Sequence, residues 1–352
     1  MKKNIAVLPG DGVGPEVTNE AIKILKKIAY RFHHQFIFTE GLIGSVAIDK
    51  TGTPYPDETH KLCLNSDAIL FGAVGDPKYD NDPTAKIRPE QGLLKMRKSL
   101  ELYANIRPIN VFSSLINKSP LKKEIVKDVN FIVVRELTGG IYFGEKGRIK
   151  NGKSAYDVCS YSKNEIIRVT KIAFNLAHKR NNKITVVDKA NVLETSRLWR
   201  ETIQNQVTHN PFPITINYMF VDNASMQIIK NPHQFDVILT ENMFGDILTD
   251  EASVITGSIG MLPSASIGEK VILYEPIHGS YPKATGKNTA NPIGSILSTA
   301  MMLSYSFGLK KESQAVYNAV EKTLNNALGT KDIVDKNPLS TSELGNAIIN
   351  FI

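Results

Sequence analysis

The sequence predicts an α/β protein with a largely parallel sheet, divided into two intimately joined domains. Short β-rich runs alternate with helix-like stretches through most of the chain, the rhythm of strand, helix and parallel strand. A length of 352 residues exceeds the usual size of one domain. The middle, from Asn110 to about Tyr161, breaks the rhythm with glycine-punctuated β-like pieces, Thr138 to Gly144 and Lys150 to Lys153, and suggests an inserted or second domain.

The elements follow in order. Asn4 to Leu8 reads as a strand, Pro15 to about Tyr30 as a helix with proline suited to its first turn, and Gln35 to Thr39 as a second strand. Between the first strand and helix lies Gly10-Asp-Gly-Val-Gly14. Its glycines miss the G-x-G-x-x-G spacing, and no lysine of a phosphate loop follows, so a structural tight turn is expected rather than a Rossmann fingerprint. Asp67 to Phe71 is the next strand. Arg88 to Arg107 reads as an amphipathic helix leading into an extended piece, with Leu93, Arg97, Leu100 and Ala104 on one stripe. Strands are then expected at Asn130 to Val134, Lys183 to Val187, Ile214 to Val221 and Phe235 to Leu239, and a helix opens near Glu241.

Composition narrows the function. Hydrophobic residues at 42% and charged residues at 22% describe an ordinary globular chain, not a disordered one. Cys63 and Cys159 lie far apart, which supports neither a disulfide framework nor a thiolate zinc site and favours a reducing, cytoplasmic setting. The apolar run Ile5 to Leu8 is too short for a signal segment, and no stretch has the length of a membrane span. The net charge of +7 comes from scattered lysines in pairs such as Lys26-Lys27, which reads as a solvated surface and not as a nucleic-acid or membrane patch.

Arginine is scarce, with ten in the chain, so its placement is informative. Arg97 on an apolar stripe needs an anion, either a ligand or a protein carboxylate, unless its head reaches water. Arg107 and Arg135 add two guanidinium forks where open α/β sheets place ligands, and three forks suit a compact dicarboxylate. Asp246 and Asp250, four apart, share a helix face; the pair is either solvated or compensated by a hard divalent cation such as Mg²⁺, with Asp222 as a third carboxylate. Lys189, just beyond a buried strand, is either a surface lysine paired to a nearby carboxylate or a base.

Leu8-Pro-Gly-Asp-Gly-Val-Gly-Pro-Glu-Val17, Val134-Arg-Glu-Leu-Thr-Gly-Gly-Ile-Tyr-Phe-Gly144, Asp188-Lys-Ala-Asn-Val192 and the long run Asn242 to Gly260 together resemble the decarboxylating dehydrogenases of β-hydroxy acids, the family of isocitrate and isopropylmalate dehydrogenases. The likeness extends to Ala290-Asn-Pro292 and Met301-Met-Leu303, nearly the whole chain. It implies that family's two-domain α/β fold, not a Rossmann fold, with residues 1–101 and 258–352 forming a large domain that carries the cofactor loop and 102–257 a second domain with the dimer interface.

The resemblance also implies roles. Arg97, Arg107 and Arg135 would grip the substrate carboxylates, and Asp246, Asp250 and Asp222 would hold Mg²⁺ or Mn²⁺. Lys189 would be the base and Tyr142 the general acid, while Asp222 also contacts substrate. Lys189 and Asp222 reach into the neighbouring subunit's site in this family, so a homodimer with shared sites is implied. Leu93 and Leu94 would line a pocket for a branched alkyl group, making 3-isopropylmalate, an intermediate of leucine biosynthesis, the expected substrate; isocitrate or tartrate would need a polar group there. NAD is the expected cofactor, with Glu90 by the nicotinamide and His278, Gly279, Ser280, Lys283 and Asn291 at the adenosine end. NAD-using relatives carry aspartate where this chain has Lys283, and NADP-using ones lysine followed by tyrosine; here Lys283 precedes Ala284, so weaker discrimination against NADP is expected. A non-catalytic nucleotide- or metal-binding protein on the same fold is the alternative of a different class.

Overall fold

A computed structural model of the chain describes residues 1–82, 85–211 and 213–352. The chain divides into two compact units, one of 1–102, 112–120 and 256–352, the other of 103–111 and 121–255. Among the described residues no helix is long and apolar enough to cross a membrane.

In the first unit the strand Lys2–Gly10 lies between the parallel strands Gln35–Glu40 and Ala68–Ala73. Ala68–Ala73 also pairs in parallel with Ile272–Pro276, which takes Pro263–Ile267 antiparallel on its other side. Ala68–Ala73 is buried along its whole length, as expected of a strand covered on both faces. The helix Ile293–Tyr305 is buried through its first eleven residues, and the helices Gly14–Phe32 and Lys310–Asn325 pack against it. The stretch 112–120, expected in the second domain, belongs to this unit. Its 3-10 turn Ser113–Lys118 packs on Lys310–Asn325, and Lys118 pairs with Asp335 at 2.7 Å.

The glycine turn is structural, as its spacing predicts. Gly10 and Gly12 have φ of +71° and +61°, and a Cβ on either would sit 2.0 Å from a carbonyl oxygen, that of Ala73 or of Ser280. Val13 N–H donates to Ser280 O at 2.8 Å, so the turn holds a later loop in place. Asp11 is buried between them. Its carboxylate accepts Ser45 N–H at 2.8 Å, Ser45 Oγ–H at 2.7 Å and Gly75 N–H at 2.9 Å.

In the second unit Asn130–Glu136 pairs antiparallel with Ala104–Asn110 and parallel with Val237–Thr240, followed by Lys183–Asp188 and Thr215–Phe220 in parallel register. Arg135, Asp188 and the start of the helix Val221–Lys230 therefore gather at the carboxyl end of the parallel strands, the usual ligand end. Thr138 to Gly144 is not β-structure. Gly140, at φ +72°, turns the backbone into the 3-10 piece Gly140–Tyr142, and the hairpin strands are Lys146–Ile149 and Ser154–Asp157.

Candidate active site

The helix that carries Arg97 is shorter than its hydrophobic stripe. It spans Pro89–Ser99, and Leu102 N–H returns to Arg97 O at 2.9 Å while Glu101 takes a left-handed φ of +53°, closing the helix before Ala104 enters a strand. Arg97 is buried as its place on the stripe requires. The anion beside it is Glu275, 178 residues away, at 3.5 Å, and its Nε has no partner. Leu93 and Leu94 are half-buried on the same helix, Leu93 packed on the core around Met96 and Leu100. Glu90, in the first turn, lies by Gly75 and Ser280: a Cβ on Gly75 would be 3.1 Å from both Glu90 Oε1 and Ser280 Oγ.

The loop after Ile272–Pro276 forms one wall of a cavity of about 560 Å³ in the first unit. His278, Gly279 and Asn291 line it, together with Tyr281 of the same loop, Val13 of the glycine turn, and Thr289, Lys331 and Asp332, which local motifs do not single out. Ser280 and Lys283 are not part of its lining: Ser280 is buried behind the loop on Val13, and Lys283 is exposed in the 3-10 turn Pro282–Ala284. Asn291 Oδ1 caps the helix Ile293–Tyr305 and its Nδ2 donates to Asp332 at 3.0 Å. Burial lowers the His278 pKa and keeps the ring neutral; its Nδ1 donates to Gly279 O at 2.9 Å, leaving Nε2 a buried acceptor without a donor.

In the second unit Arg107, Arg135, Tyr142 and Asp246 converge. Arg107 donates to Asn105 Oδ1 at 2.7 Å and Thr249 Oγ1 at 2.5 Å, with Asp246 3.7 Å away. Arg135 donates to Asn242 Oδ1 from two nitrogens at 3.0 and 2.8 Å and forms an ion pair with Asp246. Gly245 permits the approach, since a Cβ there would be 2.7 Å from Arg135 Cγ. Tyr142 Oη–H donates to Asp246 Oδ2 at 3.1 Å, and desolvation followed by the Asp246 charge raises its pKa, so the phenol keeps its proton at neutral pH. Desolvation and Asp246 also raise Asp250, against the pull of Arg107 and Arg135.

Lys189 forms an ion pair with Asp222. Among the described residues no three His, Cys, Asp or Glu side chains gather as a metal site, so Asp222 does not join Asp246 and Asp250 within one chain. Local sequence did not single out Glu275 or Asn105, and it held Asn242 and Thr249 only as members of the run Asn242 to Gly260; the partners of all four are fixed by tertiary pairing.

The model of the isocitrate/isopropylmalate dehydrogenase family matches residues 4–348. A protein of Geobacillus kaustophilus named 3-isopropylmalate dehydrogenase is 54% identical over 97% of this chain and 93% of its own length, and one of Aquifex aeolicus with the same name is 51% identical over 99% and 97%. Among solved structures, isocitrate dehydrogenase of Methylococcus capsulatus superposes with a TM-score of 0.88 at 30% identity over 99% of both chains. A β-decarboxylating dehydrogenase of Thermococcus kodakarensis superposes at 0.80 with 34% identity, over 99% of this chain and 96% of that one. The chain belongs to the isocitrate/isopropylmalate dehydrogenase family.

Proposed function

We propose that the protein oxidises 3-isopropylmalate at C2 with NAD and releases the carboxylate on C3 as CO₂, giving 4-methyl-2-oxopentanoate for leucine biosynthesis. The observation that carries this reading is the convergence of Arg107, Arg135, Tyr142 and the Asp246–Asp250 face at one end of a sheet, in a chain half identical to proteins named for that reaction. The half-buried Leu93 and Leu94 suit a branched alkyl group and offer nothing to a third carboxylate, which disfavours isocitrate and tartrate.

The residues fit both cofactors. Asp246 and Asp250 present hard oxygen donors on one helix face, and Asp250, raised partly by its neighbour's charge, gains from a divalent cation there. The cavity at His278 offers NAD a bare nitrogen acceptor and an open approach over Gly279, where a Cβ would meet nothing within 4 Å. When bound, NAD supplies the hydride acceptor and Mg²⁺ or Mn²⁺ the electrophile that polarises the 2-oxo group.

The chain's own groups do the rest. Arg97, Arg107 and Arg135 orient the two carboxylates, Arg97 with a free Nε and Arg135 by exchanging Asp246 for substrate. Lys189 takes the C2 hydroxyl proton as hydride leaves C2. Loss of CO₂ from C3 leaves an enolate, the electron pair of the broken C–C bond passing to the C2 oxygen, and Tyr142 delivers its phenolic proton to C3 as the C2 carbonyl re-forms. Because Lys189 and Asp222 lie apart from Asp246 and Asp250 within one chain, a second copy completes the site. Exposed Met226, Ile247 and Val254, on the packed helices Val221–Lys230 and Asn242–Ser253 and just beyond, provide an apolar face for that homodimer. The two free cysteines accord with a cytoplasmic enzyme.

A spectrophotometric assay of nicotinamide reduction with 3-isopropylmalate, isocitrate and tartrate, each with NAD and NADP, tests the assignment. It expects the highest kcat/KM for 3-isopropylmalate with NAD. Equal rates on isocitrate would overturn the substrate, and no reduction with any diacid would favour a binding protein on this fold.

A further inference from the structure

We propose that Arg200 is a positioning residue for the reaction: it holds the strand end that carries Lys189 and the helix start that carries Asp222 in one register. The inference rests on the reading of Lys189 as the base. Lys189 is the first residue beyond the strand Lys183–Asp188, where a backbone is free to fray unless something ties it. The helix Glu194–Thr208 ties it at three points. Lys189 N–H donates to Ser196 Oγ at 3.0 Å, Arg197 Nε donates to Ala190 O at 3.0 Å, and Arg200 grips Asp188 with its fork, at 2.6 Å and 3.0 Å.

Arg200 alone among these also reaches the next strand. Its guanidinium carbon lies 4.9 Å from the ring centroid of Tyr218 and 5.3 Å from that of Phe220, while Lys189 Nζ lies 5.9 Å from the same Phe220 ring. Phe220 ends the strand Thr215–Phe220 and caps the helix Val221–Lys230, two residues before Asp222, the ion-pair partner of Lys189. The contacts therefore close a ring: Asp188, Arg200, Phe220, Asp222, Lys189 and back to Asp188 along the chain. If Arg200 only neutralised the buried Asp188, the fork would suffice and the ring shared with Lys189 would have no consequence for chemistry.

The test is a single-turnover measurement with enzyme in excess over 3-isopropylmalate, saturating NAD and Mg²⁺, on the full-length chain. Arg200→Met should lower the rate constant of hydride transfer by roughly 30- to 100-fold, the cost of a misplaced catalytic group, while the amplitude of NADH formed stays full. Arg200→Lys, which keeps a cation over the rings without the fork, should recover part of that rate. A rate constant equal to wild type would overturn the proposal; because enzyme is in excess, the amplitude is set by the substrate and a smaller folded fraction leaves the rate constant unchanged, so a loss of fold cannot imitate the expected slowing. Should Arg200→Met fail to fold, Phe220→Leu removes the shared ring and must reproduce the slowed rate constant at full amplitude. Lys189→Ala separates the two levels: near-normal turnover in that variant sinks the base itself, whereas its loss beside an unaffected Arg200→Met sinks only the positioning role.

Discussion

In the first unit the cavity is shaped by main-chain turns and hydrogen-bonded side chains, Gly12 against Ser280, Asn291 on Asp332, and a neutral His278 turned back on Gly279, with Lys331 and Asp332 the charged residues of its lining. In the second unit Arg107, Arg135, Tyr142 and Asp246 are held by their charges on one another. The first arrangement is finished before a ligand arrives. On the proposed reading the second would be exchanged: a substrate carboxylate on Arg135 would displace Asp246 and free that carboxylate for a cation. The nucleotide side should therefore be sensitive to backbone changes and the substrate side to charge and pH.

The largest effect should come from removing charge where charge does the holding. Chelation should abolish activity and Mg²⁺ or Mn²⁺ restore it, and Asp246→Asn should lower kcat by about 10²-fold or more, given that a Lewis acid supplies several kcal/mol of stabilisation. The variant should still fold, because Arg135 keeps both bonds to Asn242. Full turnover in excess chelator would remove the metal from the mechanism and with it the contrast between the units.

A second consequence of stacking charge in one unit is a pH-dependent stability. Glu241 is buried beside Glu136 and Asp188, and burial first, then those two charges, push its carboxyl from 4.5 up to about 7. Asp188 is paired with Arg200, and Glu136 accepts N–H groups from Thr138 and Gly139; Glu241 has the Cys159 thiol at 4.0 Å. The native state thus retains a proton that the unfolded chain releases near pH 4.5, so stability declines as pH rises from about 4.5 to 7, by about 3 kcal/mol if Glu241 acts alone. Glu241→Gln should flatten that decline and be the more stable protein above pH 7. Denaturant midpoints across this range decide it; parallel curves for the two proteins would mean that Glu241 does not titrate there.

Gly12→Ala probes the other unit. The new methyl must displace Ser280 O from 2.0 Å at a φ of +61°, which should cost about 1–3 kcal/mol and weaken NAD binding by calorimetry, with the metal requirement of the remaining activity unchanged. Unaltered NAD affinity would mean that the glycine turn does not set the position of the loop at 278–281.

The same contrast explains what could be read before the fold was known. Strand runs and the neighbouring pair Asp246 and Asp250 are local patterns and were legible as such. The anion demanded by Arg97 was legible too, but its identity was not, because Glu275 comes from a strand 178 residues on. The stripe overran the helix at Leu100 and Ala104 because burial in a following strand mimics a helical period for one more turn. Asp11 looked like part of a loop motif, whereas its work is to gather the amides of Ser45 and Gly75.

The smallest effect is expected at Lys283. The resemblance places cofactor discrimination there, yet the side chain is exposed and Lys331 is the lysine among the cavity's lining residues. An exposed charge contributes about 0–1 kcal/mol, so Lys283→Asp should raise the NAD:NADP ratio of kcat/KM by roughly fivefold at most. That limit follows from a site whose shape is set by backbone: a single surface charge adjusts selectivity without rebuilding the cavity. A shift of about a hundredfold would place Lys283 against the ribose. A wild-type ratio already favouring NADP would reverse the cofactor while leaving the chemistry of Lys189 and Tyr142 as described.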